Sequence, residues 1–331
     1  MYKIVISAYN EESIIYKTLK SNLKHSSEII VIDDCSTDNT WNEINRFYAD
    51  FPKSKIKKIR MKKNGKKILS IRSVIQNLSP STKYIILIDA DSTLTASREN
   101  IVKSIQKLEE NNFAAGAFRI DVKNKESILG NIFDIEVHIR EFLNLFTSKC
   151  KKLRCIPGGG SLFKRDVLEN ILTNHSGEYY GEDLETTAIL IENKHTVGYF
   201  PNIIVKTLVP SNIFDMIRQR IRWEAGVLRV YFRKRNFYIN NLLKIDRHAL
   251  LWMLEVISWV LLPLIFYNLF INPNLLPFSY LSSVSYIVML SNGIKNKGSP
   301  LILIYPIFNL VVILISRIIA IGWLIKYYLK R

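Results

Sequence analysis

Cysteine is scarce in this sequence, and the cysteines that are present form no motif. Cys35, Cys150 and Cys155 make an odd number, and no two of them stand in a C-x-x-C pair. A disulfide framework needs paired cysteines, and a zinc site usually draws on closely spaced cysteine and histidine ligands. The sequence therefore argues against both kinds of site and is typical of a protein from a reducing compartment.

Acidic residues are also few in comparison with basic ones. The chain has 46 Lys and Arg residues against 29 Asp and Glu residues, which gives a formal net charge of +17. Such an excess favours an anionic partner: a nucleic acid, a membrane face or a phosphorylated substrate. Because the basic part of the chain precedes an apolar tail, we expect a membrane and a nucleotide as partners, and no nucleic acid.

Long apolar runs are missing from most of the chain and then dominate its last part. The first apolar run, at residues 4–6, is too short for a signal peptide. Residues 249–271 and 300–325 are each long enough to span a bilayer, whereas residues 275–290 either cross or dip in and return. We therefore predict two to three transmembrane helices over residues 248–331.

Charged residues orient this predicted membrane domain. Lys and Arg residues accumulate up to Arg247, and the positive-inside bias then places the preceding domain on the cytoplasmic side. We thus predict an integral membrane protein with its catalytic domain in the cytoplasm. Glu255 and Arg317 lie inside the predicted spans, where charges usually face protein or a water-filled path. They are the natural pair to test, and contact with the acceptor is the alternative role.

Three short apolar runs, each followed by acidic residues, organise the first part of the chain. Residues 3–7, 28–32 and 84–88 are too short for helices, and each is typical of a buried strand. A carboxylate-rich loop and a helical pattern follow in each case. This alternation predicts an α/β fold with a mostly parallel central sheet, whose ligand sites lie at the carboxyl ends of the strands.

The third of these runs ends in two carboxylates, Asp89 and Asp91. At positions i and i+2 of a strand end they point to the same side, so they repel each other unless a cation lies beside them. Mg²⁺ and Mn²⁺ take oxygen ligands, usually one or two carboxylates together with phosphate oxygens of a substrate. The alternative interpretation is a solvated turn.

The acidic segments S-A-Y-N-E-E, V-I-D-D-C-S-T-D and L-I-D-A-D resemble, in this order and spacing, those of the family 2 glycosyltransferases. The resemblance implies the nucleotide-diphospho-sugar transferase fold (GT-A), a Rossmann-like single domain. Cys35 departs from the family, which usually has glycine there. The resemblance also implies a nucleotide pocket with Ala8, Tyr9 and Glu11, a base contact from Asp34 or Asp33, and Asp91 as the metal ligand with Asp89 beside it.

A dense run of lysines at residues 53–67 separates the second and third of these segments. Most of the run is typical of a solvated face. Its end, residues 64–67, resembles the N-x-G-K loop that lies beside the diphosphate in the family. This makes Lys66 or Lys67 a candidate phosphate contact, and the register leaves the choice between them open.

Residues 158–160 are three consecutive glycines. They allow backbone conformations that are closed to other residues and let a substrate approach the main chain closely. The segment is not a Walker loop, because the lysine and hydroxyl residue are missing at the required spacing. By resemblance, Gly158 to Ser161, and Gly159, Gly160 and Ser161 in particular, form part of the sugar and acceptor pocket.

Glu182 and Asp183 precede an apolar helical pattern, where acidic residues favour the first turn. An inverting transferase needs a carboxylate that takes the proton from the attacking hydroxyl. Asp183 matches the base position of the family, and Glu182 is the second choice.

Residues 219–223 carry the pattern QxxRW, which resembles that of cellulose, chitin and hyaluronan synthases and of ceramide glucosyltransferase. On a helix, Gln219, Arg222 and Trp223 fall on one face. The resemblance places Trp223 at the terminal sugar of the acceptor, and Gln219 and Arg222 against the diphosphate. The surrounding arginines and aromatic residues predict a helix at an anionic membrane face.

Together these features predict a cytoplasmic GT-A domain (1–210), a membrane-interface segment (211–247) and a membrane domain (248–331). The predicted activity is metal-dependent, inverting sugar transfer with Mg²⁺ or Mn²⁺. The expected donor is a nucleotide-diphosphate sugar, with UDP as the first choice of nucleotide, and the expected acceptor is a lipid-linked or growing glycan. A lipid glycosyltransferase that adds a single sugar is the close alternative. A non-enzymatic membrane protein that binds anions is a more distant one.

Overall fold

The structure is a computed structural model that describes five segments of the chain. They are residues 2–25, 28–178, 180–242, 246–272 and 305–329.

The described residues form two compact units. The first unit contains Met1–Asp121 and Lys151–Leu208, and the second contains Val122–Cys150 and Val209–Arg331. Each unit is therefore assembled from two separate parts of the chain. The division predicted from the sequence, at residues 210 and 247, stays a prediction.

The first unit is built around one sheet, which has eight strands among the described residues. Their order across the sheet is β3-β2-β1-β4-β7-β6-β8-β5. The strands are β1 (Tyr2–Ala8), β2 (Ile29–Asp33), β3 (Ile56–Arg60), β4 (Tyr84–Asp89), β5 (Thr93–Thr95), β6 (Ala115–Val122), β7 (Ser161–Lys164) and β8 (Val197–Thr207).

One half of the sheet is parallel, as the sequence predicts. Strand β1 lies between β2 and β4 and pairs in parallel with both, and β2 pairs in parallel with β3. The register places Ser7 opposite Asp89, and Ala8 opposite Asp33. The acidic ends of β1, β2 and β4 therefore meet at one edge of the sheet.

The other half corrects the prediction of a mostly parallel sheet. Strand β7 runs antiparallel to both β4 and β6, and β5 runs antiparallel to β8. The physical reason is local: the three glycines deliver the chain to Ser161, which pairs with Leu87 near the carboxyl end of β4. A strand that starts at that edge has to run back, so the sheet is mixed.

Helices cover both faces of this sheet, which explains why the neighbouring strands β1, β2 and β4 are buried along nearly their whole length. Ile4 and Ile6 pack into one core cluster, whereas Val5 between them packs into a second one. The helices of this unit are α1 (Ile15–Asn22), α2 (Thr40–Asp50), α3 (Lys66–Ile75), α4 (Arg98–Glu110), α6 (Arg165–Asn174) and α7 (Glu182–Glu192), with a short 3₁₀ turn at Leu23–His25.

The second unit is helical in the part that the structure describes. Ser127 and Asn212 begin two of its helices by accepting the N–H groups of Gly130 and Asp215, each at 2.9 Å. The helices are α5 (Ile128–Ser148), α8 (Ile213–Arg233), α9 (Arg235–Leu242), α10 (Arg247–Ile271) and α11 (Tyr305–Leu329).

The carboxylate partner of Arg317 differs from the predicted one. The side chain is 8% exposed, and its Nε donates to Glu224 Oε2 at 3.2 Å. Its two other nitrogens donate to the carbonyl and hydroxyl oxygens of Ser258 at 2.9 and 3.1 Å. Arg317 thus joins α8, α10 and α11, and the predicted pair with Glu255 is replaced by a pair with Glu224.

Among the described residues, no helix combines the length and the apolar character that crossing a membrane requires. The transmembrane helices predicted over residues 248–331 are therefore unsupported. The predicted segment at 275–290 lies outside the described residues.

Candidate active site

Hydrogen bonds join the loops that follow β1 and β2 at the carboxyl edge of the sheet. Asn10 Oδ1 accepts the N–H of Thr37 at 2.9 Å, and Thr40 Oγ1 accepts the N–H of Glu11 at 2.7 Å. At the strand ends, the carbonyl of Ala8 accepts the N–H of Asp34 at 2.8 Å. The edge predicted to hold the nucleotide is thus a cross-linked pair of loops.

Tyr9 lies on this edge with its side chain exposed, at 39% of its full accessible surface. A ring in this position can stack against a planar ligand at little cost in desolvation.

The two neighbouring aspartates at the end of β2 have different surroundings. Asp33 is fully buried, with Oδ1 accepting the N–H of Ser36 at 3.1 Å and Oδ2 3.1 Å from Arg60 Nε. Asp34 Oδ1 accepts the N–H of Gly65 at 2.8 Å, and burial raises the pKa of its carboxyl group. Asp33 therefore serves the loop itself, and Asp34 reaches the segment that contains the candidate lysines.

Cys35 has a left-handed backbone, with φ of 62°. The turn requires this conformation, which glycine adopts without strain and which other residues adopt at a cost. The tight turn is thus kept in this chain, with cysteine in place of the glycine that is usual at this position.

The two candidate lysines have different surroundings in the structure. Lys67 Nζ donates to Asp89 Oδ1 at 2.5 Å, whereas Lys66 contributes a left-handed turn with φ of 61° at the start of α3. Burial opposes the charge of Lys67, but the carboxylates of Asp89, Asp183 and Glu182 outweigh it and raise the pKa of the lysine. Lys67 therefore provides a fixed positive charge between the two predicted acidic groups.

Asp183 lies in the first turn of α7, one residue after Glu182, and faces Lys67. Burial raises the pKa of the Asp183 carboxyl group to about 7, and the charges of Glu182 and Asp89 act in the same direction. The ammonium of Lys67 and the N–H of Gly158 act against them. A carboxylate with such a pKa changes its protonation state near neutral pH, which suits proton transfer.

The three consecutive glycines lie against these carboxylates. A Cβ on Gly158 would come within 2.3 Å of Asp183 Oδ1, and a Cβ on Gly159 within 2.0 Å of Asp89 Oδ2. Gly160 has φ of +128°, which only glycine adopts readily. The chain then enters β7 at Ser161, whose hydroxyl is buried without a hydrogen-bond partner among the described residues. The loop thus forms a tight wall that carries no side chain until Ser161.

The acidic groups Glu11, Asp89 and Asp91 share one electrostatic environment. Burial, together with the charges of Asp91 and Asp89, raises the pKa of Glu11 to about 7. Asp91 Oδ1 accepts hydroxyl groups from Ser92 at 2.8 Å and Thr207 at 3.2 Å. This excess of negative charge, carried by oxygen ligands only, fits Mg²⁺ or Mn²⁺.

Within the described segments, no three His, Cys, Asp or Glu side chains are grouped closely enough to hold a metal ion by themselves. In proteins, Mg²⁺ is usually held by one or two carboxylates together with phosphate oxygens of a substrate.

Sequence reasoning missed the residues that hold the first turn of α7, which contains Asp183. His175 accepts the N–H of Gly177 on Nδ1 at 3.0 Å, so its Nε2 carries the proton and donates to the carbonyl of Glu182 at 3.1 Å. Glu185 accepts both the N–H and the hydroxyl of Ser176, at 3.1 and 2.6 Å. These contacts link separate turns, so the sequence contains no signal for them beyond their closeness to Asp183.

The QxxRW residues lie on α8 in the second unit. Gln219 is half-buried, and its Oε1 has no hydrogen-bond partner among the described residues. Trp223 is 40% exposed, with the Arg220 guanidinium 4.8 Å from its ring centre and that of Arg140 at 5.9 Å. Arg222 is half-buried. The motif therefore presents an exposed aromatic ring between two cations.

Arg220, between the motif positions, has a structural role. It pairs with Glu136 of α5, and both side chains are close to 90% buried. Its guanidinium also lies 5.0 Å from the ring centre of Phe133. Arg220 thus ties α8 to α5.

The chain is similar to several known proteins. Residues 3–172 match the family model described as glycosyl transferase family 2. A poly-β-1,6-N-acetyl-D-glucosamine synthase of Staphylococcus epidermidis is 28% identical over 84% of this chain and 67% of its own length. A dolichyl-phosphate β-glucosyltransferase of Dictyostelium discoideum is 25% identical over 70% of this chain and 73% of its own.

A solved structure shares the fold. A mannosyltransferase of Pyrobaculum calidifontis, in complex with GDP-Man and Mn²⁺, superposes with a TM-score of 0.59 and 14% identity. The match covers 96% of this chain and 86% of that one. At this level of identity the similarity shows the α/β GT-A-like fold.

Proposed function

Because the chain belongs to glycosyl transferase family 2, we propose that it is a metal-dependent, inverting transferase that uses a nucleotide-diphosphate sugar. One observation carries this proposal. At the carboxyl edge of the sheet, Lys67 lies between Asp89 and Asp183, and the glycine loop packs directly against both carboxylates. A cation for a diphosphate, a base for a hydroxyl and a bare main-chain wall for a sugar thus meet in one place.

The proposed reaction is a single displacement. The acceptor hydroxyl attacks the anomeric carbon, a carbon–oxygen bond forms, and the bond from that carbon to the diphosphate breaks with its electron pair. Asp183 takes the proton of the hydroxyl as the attack proceeds, which is the task of a general base. Attack from the side opposite the leaving group inverts the anomeric configuration.

Asp91, with Asp89 beside it, would hold the metal ion. When bound, Mg²⁺ or Mn²⁺ supplies electrostatic stabilisation of the charge on the departing diphosphate. Lys67 adds a point charge on the same side. The proposed nucleoside pocket is lined by Ala8 at the end of β1 and by Tyr9, Glu11 and Asp34.

The donor and acceptor follow from the relatives only as proposals. Both the poly-β-1,6-N-acetyl-D-glucosamine synthase and the N-acetylglucosaminyltransferase of Azorhizobium caulinodans, which is 20% identical over 68% of this chain, handle N-acetylglucosamine by name. UDP-N-acetylglucosamine is therefore the first donor to test. The QxxRW residues favour a growing glycan as the acceptor, and addition of a single sugar to a lipid is the alternative.

We place the enzyme at a membrane, with its catalytic site on the cytoplasmic side. This is supported by the exposed face of α8 and α9, where Phe214 is 72% and Phe232 65% exposed beside the exposed arginines Arg218, Arg233 and Arg235. Apolar side chains interleaved with cations suit an anionic lipid surface. Sedimentation with vesicles of anionic lipid, and not with neutral ones, is the expected result. Equal partition would contradict it.

The base assignment is tested by Asp183→Asn. We expect the turnover number for sugar transfer to fall by roughly 10²- to 10⁴-fold, the usual contribution of a general base. The affinity for UDP, measured by calorimetry, should change little, because the substitution leaves the nucleotide side of the site intact. Transfer at the wild-type rate would show that Asp183 is not the base.

A non-enzymatic anion binder is the second candidate, because the chain is strongly basic. Acidic groups at the site count against it, since a protein that only binds anions gains nothing from carboxylates there. Calorimetry separates the two candidates: the enzyme binds UDP only with Mn²⁺ or Mg²⁺. Metal-independent binding of any polyanion favours the binder.

A further inference from the structure

Thr187 joins two segments of the first unit that contain candidate site residues. Its hydroxyl donates to the carbonyl of Asp183 at 2.7 Å and accepts the N–H of Ile156 at 2.8 Å. The side chain is 1% exposed, so water does not compete for either bond. The first bond is an ordinary one from a helical threonine to the residue four positions earlier. The second leaves α7 and reaches the segment that leads into the glycines.

The glycine loop has little room to move relative to the carboxylates of Asp183 and Asp89. Gly158 lies so close to Asp183, and Gly159 so close to Asp89, that neither position has room for a methyl group. The N–H of Gly158 also favours the charged form of the Asp183 carboxyl group and lowers its pKa. A displacement of a few tenths of an ångström would therefore either press the loop into the carboxylates or draw it away from them.

Two bonds hold this loop at its ends. The N–H of Gly160 donates to the carbonyl of Leu87 on β4 at 2.8 Å, which ties one end to the sheet. The N–H of Ile156 ties the other end to Thr187. The loop thus spans from the strand that ends in Asp89 to the helix that begins at Glu182, and Thr187 is its contact with that helix.

The first turn of α7, which contains Asp183, is held by a further hydrogen bond. His175 donates from Nε2 to the carbonyl of Glu182, independently of Thr187. Loss of the Thr187 hydroxyl would therefore release the loop while the start of α7 stays in place.

We propose that Thr187 is a positioning residue for the transfer reaction: its hydroxyl holds the glycine loop in its close packing against the Asp183 carboxylate. This rests on the proposed function, because it takes Asp183 as the base. Thr187 touches no substrate in this account and acts only through the loop.

The test uses substitutions of nearly constant shape. Thr187→Val removes the hydroxyl, and Thr187→Ser keeps it. Thr186→Val is the matched control, because Thr186 is also buried but its hydroxyl makes no hydrogen bond within the described part of the chain. All variants are assayed as the full chain, well below their melting temperatures, with UDP-N-acetylglucosamine first and then other UDP-sugars as donors.

We expect Thr187→Val to lower the turnover number by about 10- to 100-fold, because small misplacements of a reacting group are costly. The KM for the donor and the affinity for UDP should stay within about threefold of the wild-type values. That change is far smaller than the loss of rate that a displaced catalytic group causes. Thr187→Ser should recover most of the rate, and Thr186→Val should behave like the wild type.

Two results would overturn the proposal. One is a turnover number for Thr187→Val within twofold of the wild type. The other is a joint loss of turnover, donor affinity and thermal stability that Thr187→Ser does not recover, which would indicate a purely structural role. A wild-type protein that makes no product from any UDP-sugar would overturn the proposed function and this proposal together.

Discussion

Substitution of Gly159 by alanine should lower the rate of transfer strongly while leaving the fold largely intact. An added Cβ would lie 2.0 Å from Asp89 Oδ2 and 2.2 Å from Asp89 Cγ. Since ordinary contacts between non-bonded heavy atoms are about 3.5 Å, the carboxylate would have to retreat by roughly 1.5 Å. The backbone of Gly159 is not left-handed, so alanine brings a steric conflict and no conformational one.

The direction of the retreat sets the balance between activity and stability. The side chain of Asp89 is 43% exposed, so it can swing towards solvent and give up its 2.5 Å bond to Lys67. Overpacking costs about 1–3 kcal/mol, and a mobile neighbour keeps the cost near the lower limit. A displacement of about 1 Å at a reacting centre, by contrast, costs about 100-fold in rate.

The assay compares kcat/KM for sugar transfer with the melting temperature. Gly322→Ala is the control, because a Cβ there meets nothing within 4 Å and alanine favours the helix over glycine. We expect Gly159→Ala to lose at least about 100-fold in kcat/KM with a small fall in melting temperature, and Gly322→Ala to lose nothing. If the two variants keep the same activity, the close packing of the loop against Asp89 is not a feature of the working enzyme.

Three further predictions follow from individual contacts. Lys67→Met should move the acidic limb of the pH profile of kcat/KM to higher pH. Transfer falls as Asp183, whose pKa is about 7, becomes protonated, and the ammonium of Lys67 lowers that pKa, so its removal raises it. An acidic limb at the wild-type pH would contradict this. Arg220→Met should destabilise the protein by about 3–5 kcal/mol in chemical denaturation, because Glu136 is left buried and unpaired; a loss below about 1 kcal/mol would mean that the pair is dispensable. Cys35→Gly should not destabilise the protein and should raise its stability by up to about 1 kcal/mol, because glycine removes the strain of the left-handed backbone; a lower melting temperature would contradict it.

Strands with a simple apolar pattern could be predicted from the sequence. The runs at residues 3–7, 28–32 and 84–88 correspond to β1, β2 and β4, because strands buried on both faces read as unbroken apolar runs. Strand β3 lies within the lysine run and could not be predicted, because Lys57 and Lys58 give it the composition of a solvated face. Local composition fails where an edge strand is half-exposed.

Partners that are distant in the chain could not be predicted. Asn64-Gly65-Lys66-Lys67 fits the candidate phosphate loop in two registers, and only the pairing of β2 with β3 and the start of α3 show which lysine reaches Asp89. The pair of Arg317 with Glu224 depends in the same way on how α8 and α11 pack. The role that we propose for Thr187 depends on its hydrogen bond with Ile156, which lies 31 residues earlier in the chain.

The motifs of the first unit name candidate residues, and the structure shows the surroundings of each one. Asp33 and Asp34 look equivalent in the sequence, but the arginine beside Asp33 and the glycine N–H beside Asp34 give them different surroundings. Such differences come from the neighbours that folding supplies, and no motif contains them.

The most direct test is transfer itself. The purified full chain is incubated with Mn²⁺ or Mg²⁺ and each of the UDP-linked sugars glucose, N-acetylglucosamine, galactose and glucuronate, together with membrane lipid, and the products are analysed by mass spectrometry and NMR. We predict an acceptor that carries one or more sugars with inverted anomeric configuration, and no product when the metal is chelated. A folded protein that binds these donors and transfers none of them, or that transfers with retention of configuration, would contradict it.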